Sequence, residues 1–286
     1  MLIIDSTDGN FINQVQVALN TLAGLTPQAF TYTQVMGVTH GQWIDVSRGT
    51  GFGAASAARP HGVGLVDAVI NSGYVARIAH GAGNATTAER TSPLYAPSLD
   101  YLRTETKIAT RTQDGSGSSC VVNWTGQADN TCNLNAAQLG AVNSHIIESQ
   151  CPSYIILAHE LIHAERLARG VYDSQTTTDL YFLIDSRPGK NLTQWGTQNS
   201  KNLHQDQHTG YWYERCAEKM EEIITVGMPY ANTAQFMPLP APKHVPAHPL
   251  GITENDIRTE NLLGIRLKYG NYGAGQPGSN RYIGNQ

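Results

Sequence analysis

The sequence predicts an α+β fold in which a mixed, mostly antiparallel sheet packs on a helix that carries the pattern H-E-x-x-H. Short β segments separated by turn residues fill most of the chain between residues 30 and 150, and apolar residues recur at helical spacing in much of the second half. The 286 residues could form one large domain or two small ones. We expect one domain over residues 1–286, mainly β at 1–150 and helical at 151–286.

The composition is that of a globular protein without a strong charge: 40% of residues are hydrophobic, 15% are charged, and the formal net charge is −4. This charge gives no electrostatic attraction to nucleic acid or to an anionic membrane, so we expect neither as a partner. No run of residues has the apolar length of a membrane span. The N-terminus also lacks the basic and long apolar segments of a Sec signal peptide, so we expect secretion or translocation into a host cell without such a signal, and otherwise a cytoplasmic protein.

Several elements of the first half have recognisable patterns. Leu2–Ile4 predict a short strand, followed by an amphipathic helix that ends at Gly24. Residues 34–47 predict a β-hairpin, and Cys120–Trp124 predict a buried strand. The glycine-rich residues 49–64 follow no convincing strand, so we expect a flexible loop there and no phosphate site.

The cysteines favour no metal site of their own. No C-x-x-C pair is present, which makes a four-thiolate zinc site improbable. Their even number permits disulfides, and Cys120 with Cys132 could close a short loop; buried free thiols are the alternative. The remaining two are Cys151 and Cys216.

The second half contains three predicted helices. Residues 153–170 carry an apolar face and end at a glycine, and residues 211–227 form the second helix, which contains the adjacent acids of "MEEIITVG". Residues 238–249 are proline-rich and must be extended. A third helix begins after Thr253, which serves as its N-cap, with Asp256 three residues further on.

The pattern "HELIH" predicts a zinc site. His159 and His163 lie one helical turn apart on the same face, so both imidazoles can reach one tetrahedral zinc ion. Glu160 is placed to take a proton from a water molecule that attacks a carbonyl carbon. The alternative is two surface histidines on an amphipathic helix, but the apolar run before them favours a buried site.

A catalytic zinc needs a third protein ligand, and the spacing of the residues leaves it open. Arg166 and Arg169 stand where a metzincin would have glycine and its third histidine, which excludes that pattern. Glu218, Glu221 and Glu222 are the candidates on the next predicted helix, and a solvated acidic face is the alternative reading. On that helix, adjacent glutamates differ by about 100° around the axis, so Glu221 and Glu222 cannot both face the same partner.

A second pair of histidines, His204 and His208, has the same spacing. Its flanking residues are typical of a loop, so we expect solvent-exposed side chains and no second metal.

The segments "LAHELIHA", "EEIITVG", "TENDIR" and "GIRLKYG" occur in an order that resembles the NleD-type zinc metallopeptidases, bacterial effector proteases delivered into host cells. The resemblance covers residues 152 to 270. More distantly, the same half is similar to the light-chain proteases of the clostridial neurotoxins, in which paired glutamates and T-x-G follow H-E-x-x-H and an R-x-x-Y pair comes later. The resemblance implies a zincin-like fold.

The resemblance also implies residue roles at the metal. His159, His163 and Glu222 would bind one zinc ion per chain, and Glu160 would be the general base. Glu221 would hydrogen-bond a ligand histidine and fix its orientation.

Three further residues have implied roles near the reacting carbonyl. Arg266 and Tyr269 would stabilise the oxyanion of the tetrahedral intermediate. Glu254 would hold or orient that arginine.

We therefore expect a zinc-dependent endopeptidase whose substrate is a protein or peptide, with the first 150 residues forming much of the substrate groove. Relatives of the resembled family cleave host signalling kinases, so a host signalling protein is one such substrate. The alternatives are a zinc-stabilised binding module without catalysis and a zinc amidase that acts on a small substrate. Glu160 argues against the first, because a structural zinc site needs no such carboxylate.

Overall fold

The computed structural model contains twelve β-strands and six α-helices in the part of the chain that it describes. The described residues are 1–37, 41–89, 113, 115–134, 146–174, 176–185, 187, 189, 203–207, 210–227, 231–232 and 251–266. Their contacts divide the chain into two compact units. Unit 1 comprises Met1–Ala128, Pro152–Asp173 and Ala247–Ile252, and unit 2 comprises Asp129–Cys151, Ser174–Pro246 and Thr253–Gln286.

Unit 1 is built on a six-stranded mixed sheet. Its strands are β1 (Leu2–Ile4), β2 (Phe30–Gly37), β3 (Gly41–Arg48), β4 (Ala76–His80), β5 (Ala85–Ala88) and β6 (Cys120–Trp124). They follow the order β2-β3-β1-β4-β6-β5. The pairs of β1 with β4 and of β4 with β6 are parallel, and the other three pairs are antiparallel. The sheet is therefore mixed and mostly antiparallel, as predicted, and the predicted hairpin and the strand β6 are both confirmed.

Four helices belong to unit 1. They are α1 (Gly9–Leu22), α2 (Phe52–Ala58), α3 (Pro60–Ile70) and α4 (Ser153–Arg169). Helix α4 carries the H-E-x-x-H pattern and packs against α1, α3 and the strands β5 and β6. The apolar face predicted for α1 is buried, with Phe11, Val15, Leu19 and Leu22 all nearly inaccessible to solvent. Burial of this face stabilises the packing of α1 in unit 1, where it contacts α4.

The predicted flexible loop at residues 49–64 is wrong. Helix α2 and the beginning of α3 occupy most of this segment, and Pro60 is the first residue of α3. Alanine has the highest helix propensity, and proline is favoured at the first helical position because its missing N–H would have no partner there. The glycines of this segment are typical of a loop, so the prediction gave too little weight to the alanines and to Pro60.

The described residues of unit 2 form two smaller sheets and two helices. A four-stranded antiparallel sheet has the order β10-β11-β9-β12, and β7 pairs with β8 in an antiparallel ribbon. The strands are β7 (Asp129–Leu134), β8 (Ile146–Cys151), β9 (Thr176–Asp185), β10 (Leu203–Gln205), β11 (Trp212–Lys219) and β12 (Ala231–Asn232). The helices are α5 (Met220–Val226) and α6 (Glu254–Glu260).

The helix predicted over residues 211–227 is only half right. Its first part is strand β11, and the helix begins at Met220. Glutamate, alanine and lysine favour a helix, but β11 lies between β9 and β10, and backbone hydrogen bonding on both sides outweighs that propensity. The predicted helical character of residues 151–286 is corrected in the same way, because β9 to β12 lie there.

The end of α5 and the start of α6 fit closely together. Gly227 ends α5 in the left-handed conformation, with φ of 72°. Thr253 caps α6 in a capping box with Asp256, which confirms the predicted N-cap. A Cβ atom on Gly227 would lie 2.5 Å from the hydroxyl oxygen of Thr253. Only glycine therefore satisfies both the backbone angle and the space at this junction.

Cys120 is a buried free thiol, and Cys151 is buried as well. The disulfide between Cys120 and Cys132 that the sequence permits is therefore absent. Burial raises the pKa of the Cys120 thiol to about 12, which keeps it protonated and unreactive at neutral pH.

Within the described ranges, no helix combines the length and apolar character that a membrane crossing requires.

The α5–α6 junction leads to a stability prediction. Replacing Gly227 with alanine should lower the free energy of unfolding by about 2–4 kcal/mol, because the side chain adds crowding against Thr253 to the strain of a left-handed backbone. Gly251 has nearly the same φ, 73°, and no atom within 4 Å of an added Cβ. Gly251→Ala should therefore lose only the backbone term, about 1–2 kcal/mol. Urea denaturation of both variants measures the difference, and equal losses would contradict the proposed crowding.

Candidate functional site

Helix α4 presents the predicted histidines from a buried position. The helix extends from Ser153 to Arg169 and ends at Gly170, whose φ of 69° makes it the predicted C-terminal glycine cap. Its apolar residues anchor it in unit 1. His159 and His163 nevertheless lie in the middle of this buried surface, only 6% and 5% exposed. Polar rings in such an environment require partners, which is the first indication of a site.

The two imidazoles converge on one point. Their Nε2 atoms are 3.1 Å apart, and the ring planes are inclined by 84°. A tetrahedral zinc ion with Zn–N bonds of about 2.0–2.1 Å holds two nitrogen ligands roughly 3.3 Å apart. The observed separation of the two nitrogens therefore fits a shared metal ion.

The Glu160 carboxylate, between the two histidines in sequence, points to a different partner. Glu160 is 5% exposed, and the hydroxyl of Thr86 lies 2.8 Å from its Oε2 atom and 2.9 Å from its backbone oxygen. Thr86 belongs to β5, and no sequence motif marks it. Sequence reasoning missed this residue because the two positions are 74 residues apart.

Helix α5 separates the candidates for the third ligand. Glu218 lies in β11, so it does not share a helical face with Glu222 as the predicted helix required. Glu221 and Glu222 both lie in the first turn of α5, where Glu221 is completely buried and Glu222 is half-buried. The two adjacent acids therefore have different surroundings, as helical geometry demands.

The predicted ligands His159 and His163 lie on α4 in unit 1, and the predicted third ligand Glu222 lies on α5 in unit 2. Two imidazoles and a carboxylate are a ligand set that zinc uses in catalytic sites.

A buried network of charges holds Arg266. Glu254 accepts a hydrogen bond from Nη1 of Arg266 at 3.2 Å and one from Nε of Arg258 at 2.5 Å, using a different carboxylate oxygen for each. Glu254 and Arg258 are almost completely buried, and Arg266 is 7% exposed. Arg258, which the sequence analysis did not identify, also donates to the backbone oxygen of Gly264 and to the sulfur of Cys151. The structure therefore brings Glu254 and Arg266 together and adds a second arginine.

Asn255 fixes the backbone of Arg266. Its side-chain oxygen accepts from the backbone N–H of Arg266 at 2.7 Å, and its amide nitrogen donates to the backbone oxygen of the same residue at 2.9 Å. The Asn255 amide nitrogen also lies 3.3 Å from the backbone oxygen of Gly227 at the end of α5. The first two residues of α6 thus hold both the side chain and the backbone of Arg266.

Some predicted residues lie outside the described part of the chain or carry no further support. Tyr269, His208 and the proline-rich residues 238–249 lie outside the described residues. His204 lies in strand β10.

The buried charges on α6 lead to a second stability prediction. Replacing Glu254 with glutamine leaves two buried guanidinium groups around a neutral amide, so the free energy of unfolding should fall by about 3–5 kcal/mol. Glu260 lies on the same helix but is only half-buried. Glu260→Gln removes the same charge and should cost less than about 1 kcal/mol. Chemical denaturation of the two variants decides the matter, and similar losses would show that the Glu254 pairs contribute little.

The chain is similar to a protein of known structure and to a known sequence family. A solved structure of the botulinum neurotoxin serotype HA light chain matches with 16% sequence identity and a TM-score of 0.23, over 54% of this chain and 28% of that one. The chain thus spans less than a third of that protein's length. No curated protein gives a significant match.

The sequence model of the Peptidase M91 family, described as effector protein, matches residues 100–269. This match covers more than half of the 286-residue chain. It includes the H-E-x-x-H helix, both acids of α5, Glu254 in α6, and Arg266, which follows α6. The predicted membership in an effector peptidase family is confirmed: the chain belongs to the Peptidase M91 family of effector proteins.

Proposed function

We propose that this protein is a zinc-dependent endopeptidase in which His159, His163 and Glu222 bind one zinc ion and Glu160 is the general base. The observation that carries the proposal is the 3.1 Å separation of the two imidazole nitrogens on a buried helix. Membership in an effector peptidase family supports peptide-bond hydrolysis as the reaction. The histidine pair would supply two of the three metal ligands, and Glu160 would supply the base that hydrolysis requires.

Glu160 is the base because of its position on α4. It follows His159 directly, so its side chain leaves the helix about 100° away from that ligand. A bound zinc ion would polarise the scissile carbonyl and make the attacking water more acidic. Glu160 then removes a proton from that water and passes it to the leaving amine, a role worth about 10²- to 10⁴-fold in rate.

The oxyanion requires donors as negative charge develops on the carbonyl oxygen. Arg266 is the proposed cation, and Glu254 holds its guanidinium group in one orientation through the 3.2 Å hydrogen bond. Tyr269 is proposed as a second donor on the basis of the R-x-x-Y spacing. Glu221, fully buried beside Glu222, is proposed to hydrogen-bond a ligand histidine and fix its orientation.

The family supports a protein substrate and a setting inside a host cell. Residues 1–286 would then act as a single zincin-like catalytic domain. A host signalling protein is the class of substrate that fits an effector peptidase. The alternatives, a zinc-stabilised binding module and a zinc amidase for small substrates, share the metal but differ in the products they release.

Metal content and activity together test the ligand assignment. Glu160→Gln should retain about one zinc ion per chain and lose proteolysis by about 10²- to 10⁴-fold, because only the base is removed. Glu222→Gln should lose the metal, because two histidines alone hold zinc weakly. Elemental analysis of the purified variants measures the metal, and Glu260→Gln is the control for removing an acid elsewhere. Full zinc retention by Glu222→Gln would overturn this ligand assignment.

Sequencing of new protein termini tests the reaction itself. Incubation with a host-cell lysate should produce new N-termini with the wild-type protein, and far fewer with Glu160→Gln or after zinc chelation. A zinc-loaded protein that produces no new termini would favour the binding module. Loss of small amide substrates without new protein termini would favour the amidase.

A further inference from the structure

We propose that Thr86 is a positioning residue whose hydroxyl holds the carboxylate of Glu160 in place for general-base catalysis. This inference rests on the proposed function, because it assigns Glu160 the role of base. It concerns a residue on a different element of unit 1, the strand β5, which the sequence patterns do not connect with the site.

The contact is direct and local to unit 1. The hydroxyl oxygen of Thr86 lies 2.8 Å from Oε2 of Glu160 and 2.9 Å from the backbone oxygen of the same residue. Strand β5 ends the sheet order and pairs with β6, while α4 packs on both strands. The Thr86 hydroxyl therefore reaches the Glu160 carboxylate from a strand that is hydrogen-bonded to β6 and packed against α4.

A buried carboxylate oxygen without a hydrogen-bond donor is energetically unfavourable. Glu160 is only 5% exposed, so solvent offers its carboxylate little support. A donor at 2.8 Å both satisfies Oε2 and restricts rotation of the side chain. The other oxygen, Oε1, can then face the attacking water in a constant direction, which is what positioning contributes to a rate.

The hydroxyl suits both states of the base during turnover. A hydroxyl group has one hydrogen to donate and lone pairs to accept. While Glu160 is ionised, the Thr86 hydroxyl donates to Oε2. When Oε1 has taken up a proton from the water, Oε2 remains an acceptor, so the Thr86 hydroxyl still donates to it. No proton passes through Thr86, and one side chain holds the carboxyl group throughout.

The strand itself offers a matched control. Side chains alternate between the two faces of a strand, so Thr87 points away from the Thr86 side, and it is exposed where Thr86 is half-buried. Thr86→Val removes the hydroxyl at nearly constant shape, and Thr87→Val makes the same change on the other face. Thr86→Ser retains the hydroxyl, and Thr86→Ala is a second deletion if the valine variant folds poorly.

The test uses the full chain and measures zinc content and the position of Glu160 in crystal structures of the variants. A third measurement is cleavage of a synthetic peptide. This peptide spans a cleavage site found in the lysate experiment. Thr86→Val should keep its zinc, show the Glu160 carboxylate displaced or in several positions, and lose about 10- to 100-fold in kcat with KM unchanged. Thr86→Ser should recover most of the rate, and Thr87→Val should match the wild type.

The outcomes separate this inference from the proposed function. A Thr86→Val crystal structure with Glu160 in its original position, or a Thr86→Val protein with wild-type kcat, overturns the positioning role. If no variant, including the wild type, cleaves any protein, the proposed function fails, and the crystal structures still decide whether Thr86 holds Glu160.

Discussion

Burial of polar side chains on α4 is the constraint on which the rest of the structure depends. The helix is held by apolar contacts on most of its surface, yet two histidines and a glutamate lie at its centre, each no more than 6% exposed. Buried polar groups must be hydrogen-bonded or bind an ion. Strand β5 must therefore bring a hydroxyl to Glu160, and the imidazoles must face each other. The polar residues in one turn of α4 thus determine which groups must pack beside that turn.

The same rule explains the start of α6. Arg258 and Arg266 are too polar to be buried alone, and each takes one oxygen of the Glu254 carboxylate. Asn255 then satisfies the backbone of Arg266 on both its N–H and C=O groups. A helix of seven residues, Glu254–Glu260, can hold an arginine in one orientation because its first two side chains are fully committed to that purpose.

The sequence predicted those features whose signals are local. The α4 helix, its glycine cap and the capping box of α6 each depend on residues within a few positions of one another, so their patterns are visible in the chain. Strand β11 was missed because its conformation depends on β9 and β10. Arg258 was missed although its partner Glu254 lies one helical turn before it, because an i,i+4 pair looks the same in sequence whether it is exposed or buried. Thr86 was missed because its partner, Glu160, lies 74 residues away. Pairings at such distances leave no periodicity in a single sequence.

The free thiol of Cys120 has a consequence for where this fold is stable. Cys120 is buried and unbridged, and burial raises its pKa to about 12, which keeps it protonated. A disulfide would make stability depend on the redox potential of the surroundings. The strand that carries this thiol, β6, is instead held by packing and by backbone hydrogen bonds to β4 and β5. Cys120 therefore does not tie the fold to an oxidising or a reducing compartment.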